Sequence, residues 1–310
     1  MQNTRDTIEA TAEVVCNNSA ITERDWLEYR RMGLGGSDVA GAAGLSPWES
    51  PYSVWAKKLG LVPDKVENER MKWGKRLEEA IGMGMAEDVG LAIERYPYML
   101  RSKEHPIAQT NLDFISERGV VEVKNTGWRM GVHWEDGSCP DFYALQGQHE
   151  LLVGGLGMTD FFVLVDGGLG VHVAMERNDS LIHDLTTIER DFWRLVESNT
   201  PPAVDGSDST TQALKGRFAS PEPDSEVELP LTTLERIGQL KELKATIKAA
   251  QTDIDLIENE LRELLGDHER GLVDGMEVIT YKLTERAEYT VAAGSYRRFN
   301  FKTAKPRRTN

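Results

Sequence analysis

Glu122 and Lys124 stand two residues apart in the stretch GVVEVKNTGW, residues 119–128. Alternation along a strand puts Val121 and Val123 on one face and both charged side chains together on the other. That shared face is either the outer surface of an edge strand carrying a solvated ion pair, or it looks into a polar site. In such a site the carboxylate holds a metal and the ammonium steers a nucleophile. A metal site needs more acids, because Mg²⁺ takes oxygen ligands in near-octahedral geometry, usually with two or more carboxylates. Asp113 in AQTNLDFIS lies nine residues before Glu122. Two short strands joined by the turn SERG would bring the two carboxylates together across a hairpin. GKRLEEAI offers Glu78 and Glu79, which on a helix point roughly 100° apart, so one of them can face the site. The other use of such a pair is a solvated helix face. A later helical pattern carries Tyr143, Gln146 and Gln148. Tyr143 and Gln146 lie three apart on one face, either to pack the helix or to hold Lys124 or a phosphate.

The elements that must position these side chains are legible as three regions. Residues 22–100 read mainly as helix, with segments at DWLEYRR, SPYSVWAKKLG and NERMKWGKRLEEAIGMGMAEDVG. Residues 107–200 carry strands around Asp113, at VVEVK, TDFFVLVD and GVHVAME, interleaved with helical patterns at FYALQGQHELLVG and LIHDLTTIERDFWRLVES. The alternation predicts a mixed α/β domain with a central sheet. Residues 206–228 are rich in Pro, Ser, Gly and Asp and read as a linker between a domain over 1–205 and an appendage over 229–310. In the appendage, Leu243, Ile247, Ala250, Ile254, Ile257, Leu261 and Leu264 recur at alternating spacings of four and three. This is a coiled-coil seam. Two strands should follow, at GMEVITYKL and YRRFNFKT, and then a basic tail with Arg297, Arg298, Lys302, Lys305, Arg307 and Arg308. Such a tail serves either solubility or a nucleic-acid contact.

Composition narrows the class. The net charge of −15 argues against a simple nucleic-acid coat, which needs a basic surface. It leaves room for an enzyme whose basic residues gather in one cleft. The two cysteines, Cys16 and Cys139, cannot build a four-cysteine iron–sulfur cluster or zinc ribbon, and both are expected as reduced thiols. No apolar run approaches a membrane span, and MQNTRDTIEATAEVV lacks a charged-then-apolar signal layout. The expected compartment is therefore the cytoplasm, with no membrane partner.

Taken in order, the motifs resemble a known family. WLEYRRMGLGGSDVAGAAGLSPWESPYSVWAKKLG, MKWGKRLEEAI, NLDFIS, VVEVKNT and YALQGQHELLVGG are similar to the phage-type recombinases and exonucleases of the YqaJ and lambda-exonuclease group. That group lies within the PD-(D/E)xK nuclease superfamily. The likeness runs through most of residues 24–205 and its register selects Glu78 over Glu79. One departure is Phe114, where the family often places glycine after the aspartate.

The resemblance implies a restriction-endonuclease-like central mixed sheet flanked by helices, extended here by the coiled-coil-like helix and a small β appendage. It implies that Glu78, Asp113, Glu122 and the Val123 carbonyl hold Mg²⁺, with Mn²⁺ able to substitute. Lys124 orients the attacking water, Gln146 and Tyr143 support it, and Arg30 and Ser37 grip a 5′-terminal phosphate. The other reading of GLGGSD is a tight turn with a helix cap at Ser37. The expected function is Mg²⁺-dependent 5′–3′ exonuclease action on double-stranded DNA ends, in a bacterial cell carrying a phage or prophage. It would act with a single-strand annealing partner, as a cyclic homo-oligomer. The alternatives are a structure-specific or restriction-like endonuclease on the same core, and a non-catalytic assembly factor acting through the coiled coil.

Overall fold

A computed structural model describes residues 1–64 and 67–285, with the side chains of residues 135 and 136 left aside. The chain divides into two units, Met1–Phe218 and Ala219–Asn310. The first opens with α1 (Gln2–Thr11), β1 (Ala12–Asn17), α2 (Glu23–Arg31), α3 (Gly36–Ala42), α4 (Pro51–Lys58) and α5 (Glu69–Val89). Strands β2 (Ile93–Arg95), β3 (Tyr98–Ser102), β4 (Gln109–Asn111), β5 (Phe114–Ser116) and β6 (Val120–Thr126) follow. Then come the short helix α6 (Trp128–Gly131), a 3₁₀ turn, α7 (Asp141–Gly154), β7 (Met158–Val165), β8 (Leu169–Glu176), α8 (Asp179–Glu197) and α9 (Asp208–Arg217).

The central sheet has the order β2-β5-β6-β7-β8 and is mixed: β6 runs parallel to β7, and the other neighbouring pairs are antiparallel. A second sheet has the order β1-β3-β4: β1 lies before the region read as helical, β3 starts inside that region, and β4 falls in the stretch around Asp113 that was expected to be strand. Strands as short and polar as Gln109–Asn111 carry no readable alternation.

Strand β6 is the middle of the central sheet. Val121 and Val123 join Ile81 and Met85 of α5 and Phe162 of β7 in one core cluster, while Glu122 and Lys124 face α7. The hairpin before β6 turns on Gly119, whose φ of +151° and position leave no room for a side chain. A Cβ there would lie 2.1 Å from the Met158 carbonyl oxygen.

Helix α7 touches α1, α3, α8, β3, β4, β6 and β7, so polar residues on it are buried and need partners. One such network sits at its middle. His149 Nδ1 faces Glu189 Oε1 of α8 at 2.7 Å, and its Nε2 faces the Gln109 carbonyl of β4 at 2.8 Å. Both partners are acceptors, so the ring is held as a doubly protonated cation. His105 Nε2 meets the other Glu189 oxygen at 2.9 Å. Burial opposes the charge on His149, but Glu189 outweighs it and holds the imidazole above its ordinary value. Burial likewise opposes the Glu189 charge, and His149 and His105 hold that carboxyl below its ordinary value.

Two expectations are corrected. Residues 208–217, read as part of a linker, form α9. Its Ser207 cap accepts from Thr210 N–H, the Thr210 hydroxyl donates to Ser50 at 2.7 Å, and Arg217 donates to the Tyr52 hydroxyl at 2.7 Å. Tertiary anchors, and not an apolar repeat, order this helix. The region 22–100, read as mainly helical, ends in β2 and the start of β3.

In the second unit, α10 (Thr232–Leu265) precedes a hairpin of β9 (Arg270–Val273) and β10 (Met276–Thr280). The seam residues Leu243, Ile247, Ile254, Ile257, Leu261 and Leu264 are all exposed. The expected strand YRRFNFKT and the basic tail lie outside the described residues. Among the described residues no helix is long and apolar enough to cross a membrane.

The buried ion pair gives a pH dependence with a defined sign. A raised histidine stabilises fully below about pH 6.5 and loses that contribution as pH rises through its folded value; a lowered carboxylate loses its own as pH falls below about 4.3. Wild type should therefore be more stable to urea near pH 6 than near pH 9. Replacing His149 by Gln should cost about 3–5 kcal/mol near pH 6 and flatten that slope. A variant as stable as wild type, or one with an unchanged slope, would contradict the assignment.

Candidate active site

The hairpin β5–β6 pairs Phe114 with Val121 and Ile115 with Val120, which carries Asp113 to the side of β6 where Glu122 begins. One Asp113 oxygen accepts from the Val123 N–H at 2.9 Å, so the carboxylate is fixed to the strand that bears Glu122 and Lys124. On the opposite side of that strand α7 presents Gln146. Its amide nitrogen donates to Glu122 Oε1 at 2.6 Å and to Glu150 Oε1 at 2.9 Å. Its amide oxygen accepts from Lys124 Nζ at 3.2 Å. Lys124 donates a second bond to Glu122 Oε1 at 2.5 Å, and its ammonium stands 4.8 Å from the centre of the Tyr143 ring.

Glu78 reaches the cluster from α5, held by Arg95 at 2.9 Å, whereas Glu79 is exposed. The departure at Phe114 has a counterpart here. Its buried ring lies against Gly82, where a Cβ would come within 2.8 Å of it, one helical turn beyond Glu78. Glycine on the helix thus accommodates the aromatic residue beside the aspartate.

Crowding leaves the carboxyl groups electrostatically strained. Burial, then the charges of Glu122 and Glu78, push the Asp113 carboxyl well above the usual range. Burial and then Glu122 do the same to Glu150. Glu78 is also raised, by burial first and by Glu122 against the opposing pull of Arg95. Burial works against the Lys124 charge, but Glu122, Asp113 and Tyr143 outweigh it and hold the ammonium above its usual range. Burial pushes the nearby Cys139 thiol up to about 12, which removes it as a thiolate nucleophile at neutral pH.

Glu122 Oε2 and Glu150 Oε2 are buried without a hydrogen-bond partner. Hard carboxylate oxygens in mutual repulsion, one of them orphaned on Glu122, suit a divalent cation such as Mg²⁺. Among the described residues, no three acidic, histidine or cysteine side chains are already drawn into a coordination shell. Glu122 Oε1 is engaged by Lys124 and Gln146, and Glu78 Oε1 by Arg95, which leaves the second oxygen of Glu122 for a cation.

A second cluster adjoins the first. Arg30 Nη2 donates to the Ser37 hydroxyl at 2.8 Å and to both Asp38 oxygens at 3.2 and 3.3 Å. Buried Lys58 donates to Asp38 Oδ2 at 2.7 Å and to the Arg30 carbonyl at 2.8 Å. Burial would raise the Asp38 carboxyl, but Lys58 and Arg30 hold it far below the usual range. Ser37 is not the cap of α3. Gly35 occupies that position and its N–H donates to Asp38 at 2.9 Å, which leaves the Ser37 hydroxyl to Arg30. The two clusters meet at Gly36, where a Cβ would lie 3.0 Å from Glu150 Oε1 and 3.1 Å from Gln146 Cγ.

Residues 25–157 match the family described as the YqaJ-like viral recombinase domain. The uncharacterized protein YqaJ of Bacillus subtilis (strain 168) is 32% identical over 268 residues, which cover 84% of this chain and 84% of its own. The chain belongs to the YqaJ family. Every residue of both clusters lies within the YqaJ match, and membership of this family supports a nuclease role. Two solved structures are similar at low identity. One is an alkaline exonuclease (LHK-Exo) from Laribacter hongkongensis, 17% identical with a TM-score of 0.49 over 57% of this chain and 94% of its own. The other is a phage related exonuclease from Haemophilus somnus 129PT, 12% identical with a TM-score of 0.41 over 56% and 99%.

Within this YqaJ-family chain the structure thus brings Glu78, Asp113, Glu122, Lys124, Tyr143 and Gln146 together, and places Arg30 with Ser37 beside them. Glu150, Asp38 and Lys58 escaped the sequence reading. Glu150 carries one signal, a charge four residues after Gln146 and so on the same face of the helix. Nothing in the sequence separates buried Lys58 from its half-exposed neighbour Lys57.

Because Asp113 is crowded by like charges, the neutral isostere should relieve the metal-free fold. Asp113→Asn is expected to raise the thermal midpoint in EDTA near pH 8, since a carboxyl with a raised folded value loses stability as pH rises. The same change should abolish the upward shift that millimolar Mg²⁺ gives wild type. A lower midpoint in EDTA, or an unchanged Mg²⁺ shift, would refute the crowding account.

Proposed function

We propose that this YqaJ-family protein is a Mg²⁺-dependent exonuclease that digests double-stranded DNA ends 5′ to 3′. The observation that carries the reading is Lys124 of the central strand, a largely buried ammonium bonded to Glu122 and Gln146 close to Asp113. Asp113, Glu122 and Glu78, with the Val123 carbonyl, would hold the metal. When bound, it would lower the pKa of a water and stabilise the leaving oxygen of a phosphodiester.

The chain's own residues supply the rest. Lys124 orients the attacking water and offsets negative charge growing on the phosphoryl oxygens. Gln146 fixes the Lys124 direction through its amide oxygen. Glu150 fixes Gln146 in turn, because the amide nitrogen is shared between two carboxylates and the oxygen is left for the ammonium. Arg30 and Ser37 would grip the 5′-terminal phosphate, an anion suited to a guanidinium fork beside a hydroxyl. Asp38 and Lys58 hold that fork in place. The 5′ to 3′ polarity, the annealing partner and a cyclic homo-oligomer all come from the family resemblance. The exposed seam of α10 offers a surface for either, since a helix does not leave such a stripe uncovered at no cost.

End-labelled linear duplex, incubated with and without Mg²⁺, tests the reading directly. Wild type should degrade linear DNA only with Mg²⁺ and should spare covalently closed circles. Lys124→Ala should lower the rate about 10²- to 10³-fold with DNA binding retained. Cleavage of circles would point instead to an endonuclease, and an active Lys124→Ala enzyme would remove the catalytic assignment.

The phosphate grip has its own test. Arg30→Ala should slow digestion of 5′-phosphorylated duplex much more than of 5′-hydroxyl duplex. Equal slowing on both would make Arg30 a structural residue or a general backbone contact.

A further inference from the structure

Trp48 is a large aromatic side chain left 53% exposed, an unusual state for a residue type that is highly buried on average. It is not loosely held. The Ser46 hydroxyl accepts from the Trp48 N–H at 3.1 Å and from the Glu49 N–H at 3.2 Å, and Pro47 between them fixes the turn. The indole stands edge-on to Phe142, with ring centres 4.8 Å apart and planes at 80°, and 5.9 Å from Tyr143. Tyr143 is itself stacked on buried Trp134 at 5.3 Å. An aromatic wall therefore runs from the core to solvent and ends in one exposed ring.

That wall passes the reacting centre. Lys124 Nζ lies 4.8 Å from the Tyr143 ring, so the Trp48 ring lies within roughly 11 Å of the ammonium, about three base steps of stacked DNA. The turn bearing Trp48 also follows directly on α3, whose first residues meet the Arg30 cluster. A rigid ring near the catalytic ammonium, in the turn that follows the helix of the phosphate grip, is within reach of a strand whose backbone is held at both points.

We propose that Trp48 is a stacking platform for a nucleobase of the DNA at this active site. The inference rests on the nuclease reading and adds a contact to the base, where all the residues assigned above act on phosphate, water or metal. Stacking is tolerant of sequence because every base has a π-face. The contact should therefore hold the strand while leaving the enzyme indifferent to which base it meets. Pinned by Phe142 and the Ser46 turn, the ring is ordered before DNA arrives, which lowers the entropic cost of binding.

The test measures binding in EDTA, so that cleavage plays no part. The probes are 5′-phosphorylated duplexes, each carrying one abasic residue at a successive position from the end. Trp48→Ala should weaken binding of intact duplex about 5- to 150-fold, the equivalent of roughly 1–3 kcal/mol per stacked base, and Trp48→Phe should recover most of it. At one position the abasic residue should weaken wild-type binding by a similar factor and leave Trp48→Ala unaffected. Equal abasic penalties in wild type and Trp48→Ala at every position would overturn the proposal while leaving the nuclease reading intact. So would a change in oligomer mass on Trp48→Ala, because a second copy of the chain would then be what covers the ring. If wild type binds no duplex at all, the nuclease reading fails first and this contact fails with it.

Discussion

Keeping one largely buried ammonium charged sets the terms for residues 1–218. Burial works against the Lys124 charge, but Glu122, Asp113 and Tyr143 outweigh it, and Gln146 and Tyr143 reach it only because α7 lies directly against β6. A helix so placed is enclosed on nearly every side, so each polar residue along it must find a partner in a different element. Gln146 and Glu150 turn toward β6 and the start of α3. Gln148 donates to the Glu176 carbonyl and accepts from the Asn178 N–H, which ties β8 to the cap of α8. His149 binds α8 and β4. One helical stretch thus joins the central sheet, the second sheet and the helical layer, and its directional bonds leave little freedom in how it is seated.

The same arrangement divides the protein into a region that favours folding and a region that opposes it. The valine face of β6, the cluster under α5 and the His149–Glu189 pair are well matched. The carboxylates of Asp113, Glu78 and Glu150 are not, and their raised protonation equilibria record the mismatch. Such local conflict is expected where a site is organised for a partner that the chain alone does not supply. The Arg30 cluster is resolved differently. There the buried acid Asp38 is neutralised by two cations, and Ser37 is left at its rim.

The sequence was informative where a single strand or helix places residues by its own period. The Glu122–Lys124 face, the hairpin carrying Asp113, and the Tyr143–Gln146 face of α7 all follow from local geometry. It was silent where position depends on a distant partner. Glu150 reads as one more polar residue after Gln146, Gln148 and His149 until Gln146 and Gly36 are seen against it. Helix α9 reads as a linker because its order comes from Ser50 and Tyr52, more than 150 residues away. The strands of the second sheet are too short and polar to show alternation. The alternative reading of GLGGSD, a cap at Ser37, does not hold, because Gly35 is the cap residue and Asp38 closes the turn.

The fit between Gly82 and Phe114 has a consequence for how this architecture can drift. A methyl group at position 82 collides with the ring, and a smaller residue at 114 opens a void beneath α5 next to the aspartate. Each change alone either pushes the helix bearing Glu78 outward or lets it sag inward, so the two positions can be altered safely only as a couple. Transplanting the aspartate hairpin into another scaffold would therefore fail unless the facing helix brought its own notch with it.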